Sequence, residues 1–173
     1  MAELWDEIVA GAAEESSLWA DCVNPAPDRR AVFSPLGEPR HALGLETIYE
    51  GYLVHYGRSR LFASPDDDTA LLLGDYLYAH GLVRIADVHD VAAVADLSEL
   101  ISLCSQLRAE ETEGDGPLWA ATAALLGRGE LDEGRTALRL HSDPAPLDAA
   151  ARTAAGNDLV DAAFAAHAEL RKS

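Results

Sequence analysis

Lysine is almost missing from this 173-residue chain: of its 13 basic residues only Lys172 is a lysine and the others are arginines. Schiff-base chemistry and a phosphate-binding lysine in a glycine-rich loop therefore have no internal residue to use. Positive charge is scarce as a whole. Thirty acids against 13 bases leave a net charge of −17, the wrong sign for gripping a phosphate backbone by counterion release, which argues against nucleic acid as a partner. Cysteine is limited to Cys22 and Cys104, far apart and without CxxC spacing, so neither a disulfide scaffold nor a zinc site is expected and both read as small buried apolar residues. No basic patch followed by an apolar run opens the chain. No segment approaches the ~20 apolar residues that span a bilayer, so no transmembrane segment is expected and the location expected is cytoplasmic.

What is present is an ordinary globular mixture, 49% hydrophobic and 25% charged, of a size for one domain over 1–173. Alanine and leucine are abundant, β-branched residues are sparse, and apolar positions recur at three and four. The expected fold is an all-α single-domain helical bundle of about six to eight helices. The pattern predicts a first helix from about Ala2 to Cys22, then a Pro-rich loop or arm over 23–40 around Pro25, Pro27, Pro35 and Pro39. A core helix follows, with Leu45, Ile48, Tyr49, Tyr52 and Val54 on a wide apolar stripe. Helices are next predicted from the acidic cap Asp66-Asp67-Asp68-Thr69 through Ile85 and from Val88 to Glu110. An acidic loop over 110–116 separates these from a short helix opened by Pro117, another over Leu131 to Leu140, and a closing pair or one bent helix over Leu147 to Leu170. The acidity is concentrated centrally: segment 61–116 carries 12 acids and 2 arginines. That density fits a solvated surface or cation binding.

One stretch carries more. Leu45-Glu46-Thr47-Ile48, then Tyr52-Leu53-Val54-His55, then Leu71-Leu72-Leu73-Gly74-Asp75-Tyr76-Leu77-Tyr78-Ala79 resemble, in order and helical setting, the middle of a trans-isoprenyl diphosphate synthase of the polyprenyl synthetase superfamily. The likeness spans about half the chain. The resemblance implies an isoprenoid-synthase-like bundle in which one helix ends in Leu-Val-His-Asp-Asp and the next opens with Leu-Ala-Gly-Asp-Tyr-Leu-Leu-Ala. Here His55-Tyr56-Gly57 stands where that family has His-Asp-Asp, and a phenol and a glycine supply no carboxylate for magnesium. The chain is also much shorter than a complete synthase and lacks a second Asp-Asp-x-x-Asp helix; Asn157-Asp158-Leu159-Val160-Asp161 is only a faint echo. Since some synthases of this broad family pair a catalytic chain with a small subunit lacking the aspartate-rich motifs, the resemblance implies a non-catalytic accessory subunit or self-associating module.

Under that reading the chain is not expected to be an enzyme and needs no cofactor. Its partner is a second copy or a prenyl diphosphate synthase. Tyr49, Tyr52, His55, Tyr56, Leu72, Asp75, Tyr76 and His80, with Leu77, are the candidates for an interface or an apolar cavity. The alternative is a small metal-dependent enzyme acting on a phosphorylated or isoprenoid substrate, with Glu46, Glu50, Asp66, Asp67 and Asp75 as ligands, a histidine beside them, and Mg2+ as the ion. A further alternative is an acidic helical adaptor without a ligand. Asp75, inside an apolar helix, is expected to need a cationic partner, for which Arg58, Arg60 and Arg84 are available. The enzyme reading requires Glu50, Asp75 and His55 to face one pocket.

Overall fold

A computed structural model describes residues 2–171; Met1, Lys172 and Ser173 lie outside them. The fold is all-helical. The described residues form nine α-helices: α1 (Ala2–Glu15), α2 (Ser17–Asp21), α3 (Ala42–Tyr56), α4 (Asp67–Asp87), α5 (Val91–Ala109), α6 (Asp115–Leu125), α7 (Asp132–His141), α8 (Ala145–Ala155) and α9 (Asn157–Leu170). No described helix is long and apolar enough to cross a membrane.

Two breaks set the helix count. The predicted helix over Ala2 to Cys22 is two, because Ser16 is extended and its side chain accepts from Leu18 N, capping α2 with a bond that competes with continuation of α1. The closing segment is a pair, divided at Gly156, whose φ of +88° lies in the left-handed region. The segment over 23–40 is folded rather than a free arm. Val32, Phe33 and Leu36 enter the core, and short 3₁₀ turns at Ser34–Leu36 and Pro39–His41 pivot on its prolines. Its start is held by backbone pairing, with Asn24 N donating to Leu61 O at 2.8 Å and Ala63 N to Cys22 O at 2.7 Å.

Two helices form the centre. From Gly44 to Val54 every residue of α3 is buried, far beyond a single stripe, so its neighbours surround it. Alanine-rich α6 is enclosed almost as fully and begins at Asp115, two residues before Pro117, so the acidic loop is shorter than predicted. Between them Phe33, Tyr49, Tyr52 and Trp119 pack ring on ring, with Tyr49 edge-on to Trp119 at 5.0 Å and Phe33 stacked on it at 5.7 Å. Across the other side of α3, α4 approaches at two points seven residues apart. A Cβ on Gly81 would lie 3.0 Å from Gly44 O, and one on Gly51 would lie 3.0 Å from Gly74 O. Only glycine lets the two backbones come this close. Further out, Arg135 of α7 donates to the Asp96 carboxylate of α5 at 2.9 Å, and Gly127 N donates to the same group at 2.8 Å.

Candidate functional site

The carboxylates predicted as ligands, Glu46 and Glu50, are spaced one turn apart on α3 and point the same way. Both are fully buried, and what they meet is Arg60, itself fully buried. Glu50 Oε2 accepts from Arg60 Nε at 3.0 Å, while its Oε1 accepts from the Ser59 hydroxyl at 2.5 Å and from the backbone N–H groups of Arg60 and Leu61, both at 2.8 Å. Glu46 accepts from Arg60 Nη1 at 2.9 Å and from Ser34 Oγ at 2.6 Å. Arg60 also donates to Arg30 O at 2.6 Å and lies over the rings of Trp5 and Tyr49. Each of the four carboxylate oxygens accepts from at least one protein donor. The cluster ties the folded 23–40 segment and the loop after α3 to the central helix, a structural clamp rather than a metal site.

The end of α3 forms a different environment. His55 Nε2 lies 3.3 Å from Asp75 Oδ1 on α4. The ring rests directly on Gly74, where a Cβ would come within 2.4 Å of Nε2. Burial lowers the His55 pKa, partly offset by the Asp75 charge, so the imidazole is held toward its neutral form. Tyr56 lies under the Arg108 guanidinium, 5.6 Å from its ring centre, and Arg108 donates to Tyr56 O at 3.2 Å. His55, Tyr56 and Arg108, with Glu111, Thr112, Glu113 and Arg171, line an open cleft of about 450 Å³.

Beneath the cleft floor lies a buried polar chain that the sequence reading missed. Asp115, at the first turn of α6, accepts from the Tyr52 hydroxyl and from Gly116 N at 3.1 Å, with Arg171 at 3.4 Å and His167 Nε2 at 3.5 Å. His167 Nδ1 in turn meets the Tyr49 hydroxyl at 2.8 Å. Burial raises the Asp115 pKa, but the bonds from His167 and Tyr52 and the charges of His167 and Arg171 outweigh it and hold the carboxyl well below its usual range. Burial also pushes the Tyr49 and Tyr52 hydroxyls far above the ordinary phenol value. Arg171 is further tied to Glu113 at 2.8 Å. The two arginines bordering the cleft thus serve carboxylates and a carbonyl of the protein itself. Neither Asp115 nor Arg171 carried a local signal, because their partners come from distant segments.

The remaining candidates separate. Tyr49 and Tyr52 are core residues, and so is Leu77, so none of the three belongs to an interface. Asp66 caps α4, accepting from Thr69 N at 2.7 Å, a bond that lowers its pKa; Asp67 and Asp68 are exposed in the first turn. Asp75 is exposed rather than partly buried and its partner is a histidine. The three arginines considered for it are elsewhere: Arg60 in the clamp, Arg84 on Thr47 Oγ1 and Glu7 O, and Arg58 at the surface. Leu72 points outward. Tyr76 donates to Gly11 O at 3.1 Å and stacks on His80 at 5.3 Å, both bordering a second cleft of about 520 Å³ between α1 and α4. Glu50, Asp75 and His55 therefore do not face one pocket, since only His55 lines the cleft at the end of α3, and among the described residues no three His, Cys, Asp or Glu side chains are placed to hold a metal ion. No family model, curated protein or solved structure matches this chain, so the isoprenyl synthase likeness rests on the residues that carry it.

Proposed function

We propose that this chain works by association, as a non-catalytic accessory subunit of a prenyl diphosphate synthase. The observation that carries the reading is the end of α3, where His55 packs on Gly74 beside Asp75 and Tyr56 packs under Arg108 in place of paired carboxylates. These are packing groups, with no pair of carboxylates among them to hold a metal ion. The exposure of Leu71, Leu72 and Val83 along α4 supports the same reading, because a helix in water gains by covering such residues.

The test is light scattering on the purified chain, alone and mixed with a catalytic prenyl diphosphate synthase from the same source, with product formation followed in parallel. A stable mixed species with altered activity or product length is the expected result. A lone species that leaves the synthase unchanged overturns the reading.

A further inference from the structure

The outer face of α4 carries Leu72, Ala79, Val83 and Ala86 at helical spacing, a line of apolar groups opposite the buried glycine face. Leu72 and Val83 are each more than half exposed, at 56% and 54%, and Leu71 flanks them at 55%. Along one edge runs the cleft between α1 and α4. It is lined by Gly11, Tyr76, His80 and Arg84 together with the acids Glu7, Glu14, Glu15 and Asp87. Acids also frame the apolar line on α4 itself, with Asp66, Asp67, Asp68 and Asp75 toward its start. The one cation along the helix, Arg84, is held by Thr47 Oγ1 at 2.5 Å and Glu7 O at 3.0 Å.

An apolar line bordered by carboxylates along one edge and at its start selects its cover by charge. A second copy would lay the same acids against themselves, between molecules already at −17 each. A helix of opposite pattern, leucine on one face and arginine or lysine flanking it, meets both features at once. We propose that this face of α4, with the α1–α4 cleft, docks a basic amphipathic helix belonging to a different polypeptide. The proposal rests on the association reading and adds to it the surface used and the chemistry of the partner. Basic side chains flanking the incoming leucines pair with the exposed carboxylates Glu14 and Glu15 at the edge of the face.

The test uses the full chain and a synthetic 18-residue Leu/Lys amphipathic helix carrying a fluorophore, with a Leu/Glu peptide of the same pattern as control. Expected are saturable binding of the basic peptide, none of the acidic one, and a loss of at least tenfold in affinity on Leu72→Ser/Val83→Ser. Glu14→Gln/Glu15→Gln is expected to weaken binding and flatten its salt dependence. Asp132→Asn/Glu133→Gln on α7, removing the same charge elsewhere, is expected to leave it unchanged. Equal weakening by both charge pairs overturns the assignment, since binding then follows net charge alone. A dimer of the chain by sedimentation that Leu72→Ser/Val83→Ser dissociates also overturns it, in favour of a second copy. A synthase complex that survives Leu72→Ser/Val83→Ser overturns this surface but leaves the association reading intact. Mapped peptide binding with no synthase complex does the reverse.

Discussion

Arg60 is the residue on which the centre of the molecule depends most directly. It is the only cation among the groups contacting the two buried carboxylates of α3, and its Nε and Nη1 are each matched to an acceptor by the fork geometry of a guanidinium. Removing one partner of a buried ion pair leaves the other charged and dry, at a cost of about 3–5 kcal/mol. Arg60→Ala is therefore expected to lower the unfolding free energy by about that amount in urea titration. Arg60→Lys is expected to recover little of it, since one ammonium cannot reproduce both bonds and the stacking on Trp5 and Tyr49. Asp115 yields a pH signature instead. An acid held below its unfolded value of about 3.9 adds stability that is complete above that pH and is lost as the pH falls through it toward the folded value. The stability difference between the native chain and Asp115→Asn is accordingly expected to be largest near neutrality and to shrink steadily below about pH 4, measured by urea unfolding at a series of pH values. A difference that grows on acidification would contradict the depressed carboxyl.

Between elements, the closest packing is that of α3 on α4, and its control points are glycines. A Cβ at Gly81 would sit 2.4 Å from Ile48 Cγ1 and 3.0 Å from Gly44 O, and backbone cannot rotate out of the way as a side chain can. Overpacking typically costs about 1–3 kcal/mol, more than the ~1 kcal/mol that alanine gains over glycine inside a helix. Gly81→Ala is expected to lower the Tm. Gly116→Ala, whose nearest neighbour atom lies at an ordinary 3.5 Å, is expected to leave it unchanged or raise it slightly. The helices themselves were legible in sequence because period and caps act locally: Asp66 and the bounds of α4 and α5 lie close to where the pattern puts them. The break at Ser16 was not, since the apolar period runs on through Leu18, Trp19 and Cys22 and one side-chain bond decides the matter. Asp115 was hidden for a related reason. It ends an acidic run that reads as loop, and its place in a helix depends on Tyr52, His167 and Arg171 arriving from elsewhere. The glycine pairs were available as a signal, a seven-residue interval repeated in both Gly44/Gly51 and Gly74/Gly81, but spacing alone does not say which helix answers which. For Glu46 and Glu50 the spacing correctly placed them on one face; what it lacked was Arg60, ten residues past Glu50.

For the molecule as a whole, charge pulls in two directions. Surface pairs such as Arg29 with Asp6 and Arg30 with Glu169 join exposed groups, and each is worth at most about 1 kcal/mol, reduced by salt. Against them stands an excess of 17 acids without counter-charges in the chain, whose mutual repulsion opposes compaction and is also reduced by salt. The excess is the larger effect, because it acts between many groups at once while only a few surface arginines are available for pairing. Raising sodium chloride from about 10 mM to about 500 mM shortens the screening length from roughly 30 Å to a few ångströms. The Tm is therefore expected to rise with salt, read by calorimetry or circular dichroism. Binding of a basic helix at α4 has the opposite dependence, since there salt screens an attraction. The same titration that strengthens the fold is expected to weaken the complex. A Tm that falls with salt would mean that the arginine pairs outweigh the acidic excess, and the charge argument for a basic rather than a like-charged partner would lose its footing.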